Sequence, residues 1–334
     1  MKINTKYQLL HDLVNTHSVT GDTGQILQFL NDYFNKRKVQ YWQEGYGTLL
    51  VGNKNAKKLF AAHIDEVGFQ VTKIESDGKL RILPVGWIFA NRLDHTVVYL
   101  NINDTKKKGV ILHEEPLKQE NIKSFNSVYL DLGFNSENEA RKANVKEGQT
   151  GSFQREFIEN GTSIIASSLD NKVSVWTLLE LISNKPSVLK NNLFAFTTDE
   201  EMQDHSANGL CFKYQPDLAV VLDYCPIHQT GGKAEVFGIT GKGTMIMYRG
   251  GQYILHPQVR EYFETKITKP FQKGFISEET LPSLEPNNFE NNGHTRAVNV
   301  CVPAFGYHGS AYSLRKIDLE NFYKMAEEIS TTKF

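Results

Sequence analysis

Thiol chemistry is scarce in this 334-residue chain: its three cysteines, Cys211, Cys225 and Cys301, stand far apart with no Cys-x-x-Cys among them. That excludes a disulfide framework and a thiolate zinc site, and it fits a reducing compartment. Each thiol reads as a small buried hydrophobe. Long apolar runs are also missing, since no stretch approaches the ~20 residues that span a bilayer. Met1-Lys2 leads into a segment broken by Asn4, Lys6, Gln8, His11 and Asp12, which is not the pattern of a signal peptide. A cytoplasmic protein without membrane contact is therefore expected. There is no excess of charge of one sign either. With 37 basic and 38 acidic residues the net charge is −1, so no bulk field draws nucleic acid or an anionic surface. Internal repeats and low-complexity tracts are absent as well.

What is present is the composition of a packed globular protein, 40% hydrophobic and 11% aromatic. The length suits one large domain plus a smaller one. Apolar spacing predicts a helix over Tyr7–Thr16 and a second starting near Thr23, with Ile26, Leu27, Leu30 and Tyr33 on one face. Strands are expected at about Val39–Gln43, Thr48–Val51 and Leu59–Ala62. From Gly68 to Ile164 the texture turns to short strands and turns. Phe69–Ile74 alternates and leads into Asp77-Gly78, a hairpin signal; Asn160-Gly161 is another. Lys106-Lys107-Lys108 reads as a solvated turn. Helix and strand alternate again from Asp170 onward, with a helix over Lys172–Ile182, strands near Leu193–Thr197, Asp217–Leu222, Thr244–Tyr248 and Val298–Val302, and helices near Pro257–Lys266 and Ile317–Ile329. Gly274–Gly293, rich in Pro and Asn, reads as loop. The expected fold is α/β: a mostly parallel or mixed sheet flanked by helices, formed by residues 1–67 and 165–334, with residues 68–164 inserted as a small all-β, barrel-like domain.

Chemistry collects where apolar runs end. His63 and Asp65 follow Leu59–Ala62, Glu200-Glu201 follow Leu193–Thr197, Asp223 closes Leu218–Leu222, Asp170 opens a helix, and His308 comes late. In open parallel sheets ligands bind at the carboxyl ends of the strands. Imidazole and carboxylate together suit zinc, cobalt or manganese, and one carboxylate between two donor sets can bridge two ions. A glutamate beside a ligand glutamate supplies a base for the attacking water. Each piece alone has a duller reading, as a loop hydrogen bond, a solvated acidic pair or a helix cap.

As an ordered set, His63-Ile64-Asp65-Glu66-Val67-Gly68, Leu169-Asp170-Asn171-Lys172, Thr198-Asp199-Glu200-Glu201, a strand-end Asp223 and His308 resembles the dodecameric (tetrahedral, glutamyl and deblocking) aminopeptidases, and the likeness spans nearly the whole chain. The resemblance implies two divalent ions per chain, zinc or cobalt with manganese acceptable, sharing Asp170. It implies His63 and Asp223 on one ion, Glu201 and His308 on the other, Asp65 orienting the His63 ring, and Glu200 as general base. It also implies short peptide substrates and a closed homo-oligomer of twelve chains joined through the inserted domain. The chain departs from the family at Asn171-Lys172, where Asp-Arg is usual, at Met202–Ala207, at Gly293–Ala297 and at Phe305–Tyr307. Two other readings remain: a dinuclear amidohydrolase or deacylase acting on a non-peptide amide, and a metal-binding assembly protein whose catalysis has decayed. Retention of the full ligand set and the base argues against the second. His95, His113, His228, His256 and His294 read as surface or loop residues, while His205 and His294 lie in loops that border the site by resemblance.

Overall fold

The computed structural model describes residues 5–45, 47–114, 125–202, 207–227, 235–277, 285–293 and 295–334. Helices α1 (Gln8–Asn15) and α2 (Gly24–Arg37) precede strands β1 (Tyr41–Glu44), β2 (Thr48–Gly52) and β3 (Lys58–His63). Both helices bury the apolar faces read from their spacing, through Leu10, Leu13 and Val14, and through Ile26, Leu30 and Tyr33. The chain then leaves the sheet. Strands β4 (Gly68–Ile74), β5 (Leu80–Val85), β6 (Val97–Ile102), β7 (Thr105–His113), β8 (Val128–Asp131) and β9 (Thr150–Phe153) close a six-stranded barrel, with short helices α3 (Ala90–Leu93) and α4 (Glu137–Lys142) between strands. Strand β4 buries Phe69, Val71 and Ile74 and exposes Gln70, Thr72 and Lys73, the one-sided burial of an antiparallel strand, with a register shift between Val71 and Lys73. The barrel has its own core, including Phe69, Ile82, Val98, Leu100, Ile111 and Leu130. Lys106–Lys108 lies on β7, not in a turn. The turn is Asn103-Asp104, both at positive φ, the two-residue hairpin geometry that Asn and Asp tolerate.

The chain returns through a hairpin of β10 (Phe157–Asn160) and β11 (Ser163–Ala166), then α5 (Leu169–Asn184), β12 (Asn192–Thr197), α6 (Asn208–Tyr214) and β13 (Leu218–Pro226). Strands β14 (Thr244–Gly250) and β15 (Tyr253–Ile254), helix α7 (Pro257–Lys266), β16 (Phe271–Phe275), α8 (Pro286–Gly293), β17 (Arg296–Ala304), β18 (Tyr312–Arg315) and α9 (Lys316–Thr331) complete it. The main sheet runs β1-β2-β12-β3-β13-β17-β14-β15, with β16 beside β14. Its centre, β12-β3-β13-β17, is parallel and its flanks are antiparallel except for β16, which runs parallel to β14, so the sheet is mixed.

Strands β3, β12 and β13 are buried at every residue, because helices cover both faces. Phe60 stacks on Phe194 at 5.3 Å toward α1, α5 and α9. Leu59, Ala61 and Leu193 face α6 and α8 with Leu210 and Phe289.

Further readings change. Strand β13 runs on to Pro226, so Asp223 lies within it, paired beside Cys301. The supposed loop contains α8, begun at a helix-tolerated Pro286 and held by buried Phe289, so packing overrides weak Asn propensity. The β10-β11 hairpin lies at the end of the segment read as the insertion, yet it pairs with β18 rather than with the barrel.

Candidate metal centre

Strands β3 and β12 end in register, His63 beside Thr197, and Ile64 N–H donates to Thr197 O at 2.8 Å. From that edge β3 continues into Asp65 and Glu66, while β12 turns through Asp199 into a single 3-10 turn, Glu200–Met202. Asp170 sits at the kinked mouth of α5 with ψ of 107°, outside helical geometry. Asn171 Nδ2 donates to Leu222 O at 2.9 Å, tying that mouth to β13 one residue before Asp223. His308 follows β17. Ser168, Asp199 and His308 all hold left-handed φ, at 54°, 68° and 46°. Each such non-glycine residue costs ~1–3 kcal/mol and persists only where surrounding contacts over-determine it. All three flank or belong to the cluster.

Asp170 faces both sides of the cluster. Its Oδ1 is 3.4 Å from His63 Nε2 and its Oδ2 is 3.8 Å from His308 Nε2. Asp223 Oδ1 and Glu200 Oε2 each lie 3.7 Å from His63 Nε2, and Glu201 Oε2 lies 3.2 Å from His308 Nε2. Donor atoms of His63, Asp170 and Glu201 fall within 4.8 Å of one another. Two donors at ~2.1 Å from one tetrahedral ion stand about 3.4 Å apart, so this spacing fits bound cations.

An outer layer fixes the inner one. Asp65 accepts from Thr20 Oγ1 at 2.7 Å and from the Glu200 and Glu201 backbone N–H groups at 3.4 and 3.2 Å, with Oδ1 3.4 Å from His63 Nδ1. One carboxylate thus holds both acidic neighbours. His308 Nδ1 is 2.8 Å from Trp87 O. A carbonyl only accepts, so Nδ1 carries the proton and Nε2 keeps its lone pair for the cluster. The His308 backbone N–H donates to Tyr312 Oη at 3.0 Å, Tyr307 stacks on the ring at 3.8 Å, and Arg92 donates to Tyr307 O. Trp87 and Arg92 belong to the barrel segment, so the barrel orients this histidine.

Lys172 donates to Ser18 Oγ and to Ile64 O, midway between His63 and Asp65. Burial pulls its ammonium down to about 8. Glu66 pairs with buried Arg155; burial opposes its ionisation, but the charges of Arg155 and Lys172 prevail and hold it down at about 2.

Negative charge is in excess here. Burial and the neighbouring Asp170 push the carboxyls of Glu201 and Asp223 above their usual range. Burial works against a charged His63, yet Glu200, Asp170, Asp223 and Asp65 raise it well above the usual imidazole value. Burial lowers His308. Glu285, 2.8 Å from Thr197 Oγ1, is pushed up to about 7 chiefly by burial. Glu201 Oε1 is buried without a hydrogen-bond partner. Divalent cations would neutralise that surplus and partner that oxygen, so the donor set fits the metals its composition suggested.

The structure brings His63, Asp65, Asp170, Glu200, Glu201, Asp223 and His308 to one place. Sequence reasoning missed Thr20, Trp87, Arg92 and Glu285, whose partners are remote in sequence, and Tyr312, four residues beyond His308, which no spacing signals. His256 caps α7 through Nδ1, as a surface residue does. His113, by contrast, is buried. His205, His228 and His294 lie outside the described residues.

Fold and site define a class: an α/β protein with a buried imidazole-and-carboxylate cluster at the carboxyl edge of its parallel strands. More narrowly, the chain belongs to the M42 glutamyl aminopeptidase family, which it matches over residues 47–325, and so it is a peptide hydrolase. The lysyl aminopeptidase of Pyrococcus furiosus is 23% identical over 287 residues, covering 82% of this chain and 81% of that one. The glutamyl aminopeptidase of Lactococcus lactis subsp. cremoris is 25% identical over 269 residues, covering 75% and 74%. Among solved structures, an aminopeptidase from the archaeon Desulfurococcus kamchatkensis superposes with a TM-score of 0.88 at 23% identity, covering 97% of this chain and 94% of that one. The TET1 peptidase of Pyrococcus horikoshii, described as assembling into a tetrahedron or a large octahedral shell, gives 0.86 at 23% identity, covering 98% and 99%. Among the described residues, no helix is long and apolar enough to cross a membrane.

Proposed function

We propose that this protein removes the N-terminal residue of short peptides at a centre where two divalent ions would share Asp170. One observation carries the reading: the two oxygens of Asp170 face different histidines, Oδ1 toward His63 and Oδ2 toward His308. His63 and Asp223 would hold one ion, Glu201 and His308 the other, with zinc or cobalt the best matched to nitrogen and carboxylate donors. When bound, such a pair supplies Lewis acidity and an activated water.

The remaining work falls to the chain. Glu200 takes the proton of the attacking water as its oxygen adds to the scissile carbonyl carbon, then returns it to the leaving amine as the C–N bond breaks. Its side chain is 19% exposed against 4% for Glu201, which suits a group that must meet water and substrate. Asp65 holds Glu200, Glu201 and His63 in mutual register. The names of the relatives support an aminopeptidase, and the TET1 description supports a closed homo-oligomer.

The test is a turnover screen on protein stripped with chelator and reloaded with zinc or cobalt, using aminoacyl amides beside N-acyl amino acids. Two equivalents of metal at the catalytic centre and hydrolysis of aminoacyl amides alone are expected, with activity lost on stripping. Turnover confined to N-acyl amino acids would instead make the protein a deacylase. Two bound ions and no turnover of either class would make it a decayed one.

A further inference from the structure

The barrel buries a second histidine that the catalytic centre does not use. His113 ends β7, and its side chain is only 3% exposed, yet neither ring nitrogen has a hydrogen-bond partner. A neutral imidazole always carries one N–H and one lone pair, and leaving such groups buried and unpaired costs about 1–3 kcal/mol. Asp94 faces it. Asp94 Oδ1 is buried without a hydrogen bond and lies 3.9 Å from His113 Nε2. The next residue, His95, places Nδ1 3.0 Å from that same oxygen.

The backbone holds this grouping together. His95 N–H donates to Ile111 O at 2.9 Å and Ile111 N–H to Thr96 O at 3.1 Å, clamping the turn before β6 against β7. His95 itself takes a left-handed φ of 53°. Backbone strain beside a buried imidazole without a partner is an arrangement that clusters at functional sites.

We propose that Asp94, His95 and His113 form a separate binding site for one divalent transition-metal ion, zinc by the donor set, with copper binding more tightly under the usual order of stability. The two imidazoles flank Asp94 Oδ1, at 3.0 and 3.9 Å, and the His95 ring has to swing toward His113 before the three donors surround one ion. Ligand atoms around a tetrahedral ion stand about 3.4 Å apart, so the 3.9 Å gap closes by about half an ångström. His95 is 78% exposed, so its ring is free to rotate into place without moving the backbone. Three protein donors leave a fourth position open to solvent. Occupation would satisfy both orphaned groups and stiffen the segment whose Trp87 and Arg92 orient His308. None of the three residues is shared with the catalytic centre.

The experiment is metal counting by elemental analysis at saturating zinc after gel filtration, for the full-length protein and for His95→Ala and His113→Phe, with peptide hydrolysis as a control. Each variant should carry one equivalent fewer than the parent, whatever the parent's total, so the result does not depend on how many ions the catalytic centre holds. Zinc affinity for the lost equivalent should fall by more than the ~10–100-fold that removal of an outer partner costs, while hydrolysis persists. If His113→Phe does not fold, His95→Ala decides alone, since an exposed side chain carries no packing. An unchanged count in His95→Ala overturns the site. So does a loss in His95→Ala that a folded His113→Phe does not share, which would mark adventitious binding to one surface histidine.

Discussion

Glu200 and Glu201 are chemically alike and adjacent, and everything that separates them is position. The 3-10 turn after β12 sends Glu201 toward His308 and Glu200 toward the more open side of His63. On a strand they would have faced opposite ways. If Glu201 is a ligand, Glu201→Gln weakens one metal site, because a neutral amide is a poorer donor. If Glu200 is the base, Glu200→Gln keeps both ions and much of the substrate affinity while losing ~10²–10⁴-fold in turnover. Metal content and peptide hydrolysis measured side by side check this; near-normal turnover in Glu200→Gln with metals in place would remove it from the mechanism. The pair was visible in the sequence as an acidic doublet. Which member does what depends on Asp65, which receives both backbone N–H groups from a distant loop.

Among elements, the barrel closes where β9 meets β4 and β6, and it does so at Gly151. A Cβ there would strike Tyr99 O and the ring of Phe69. Gly151→Ala should therefore cost ~1–3 kcal/mol, the usual range for overpacking a filled space, seen as a lowered urea midpoint. An unchanged midpoint would show that this seam relaxes freely. The barrel's one-sided strands were legible because alternation reports burial directly. Helix α8 was not, since its Asn-rich sequence has weak propensity and its stability comes from Phe289 under the sheet. The extension of β13 past Asp223 was equally hidden: its pairing with β17 carries it on, and that partner lies more than seventy residues away in the chain.

For the molecule as a whole, the barrel and the sheet are joined at the site itself. Trp87 O holds His308 Nδ1, and Arg92 holds Tyr307 O, so the inserted segment is part of the site's support. It supplies none of the five ligands proposed for the catalytic centre, which leaves its outer surface available for assembly. Exposed Leu83, Trp87 and Val97 on or beside its strands are apolar groups of the kind interfaces cover. Light scattering should show a large closed oligomer of twelve chains; a clean monomer at micromolar concentration would count against an assembly role for residues 68–164.

The sequence by itself determined the parts with short-range causes. Continuous apolar runs specified central strands buried on both faces, alternation specified the barrel, and the order of His, Asp and Glu at the ends of those runs specified the inventory of the site. Tertiary structure alone decided what those residues face. Asp170 can address both histidines only because a non-helical mouth of α5, pinned by Asn171 to β13, lies between loops from β3 and β17. The tautomer of His308 is set by a carbonyl from another domain, and the charge on Glu66 by Arg155 and Lys172. Periodicity encodes which face of an element is buried; it carries no information about which remote group will meet a side chain there, and that meeting sets its charge.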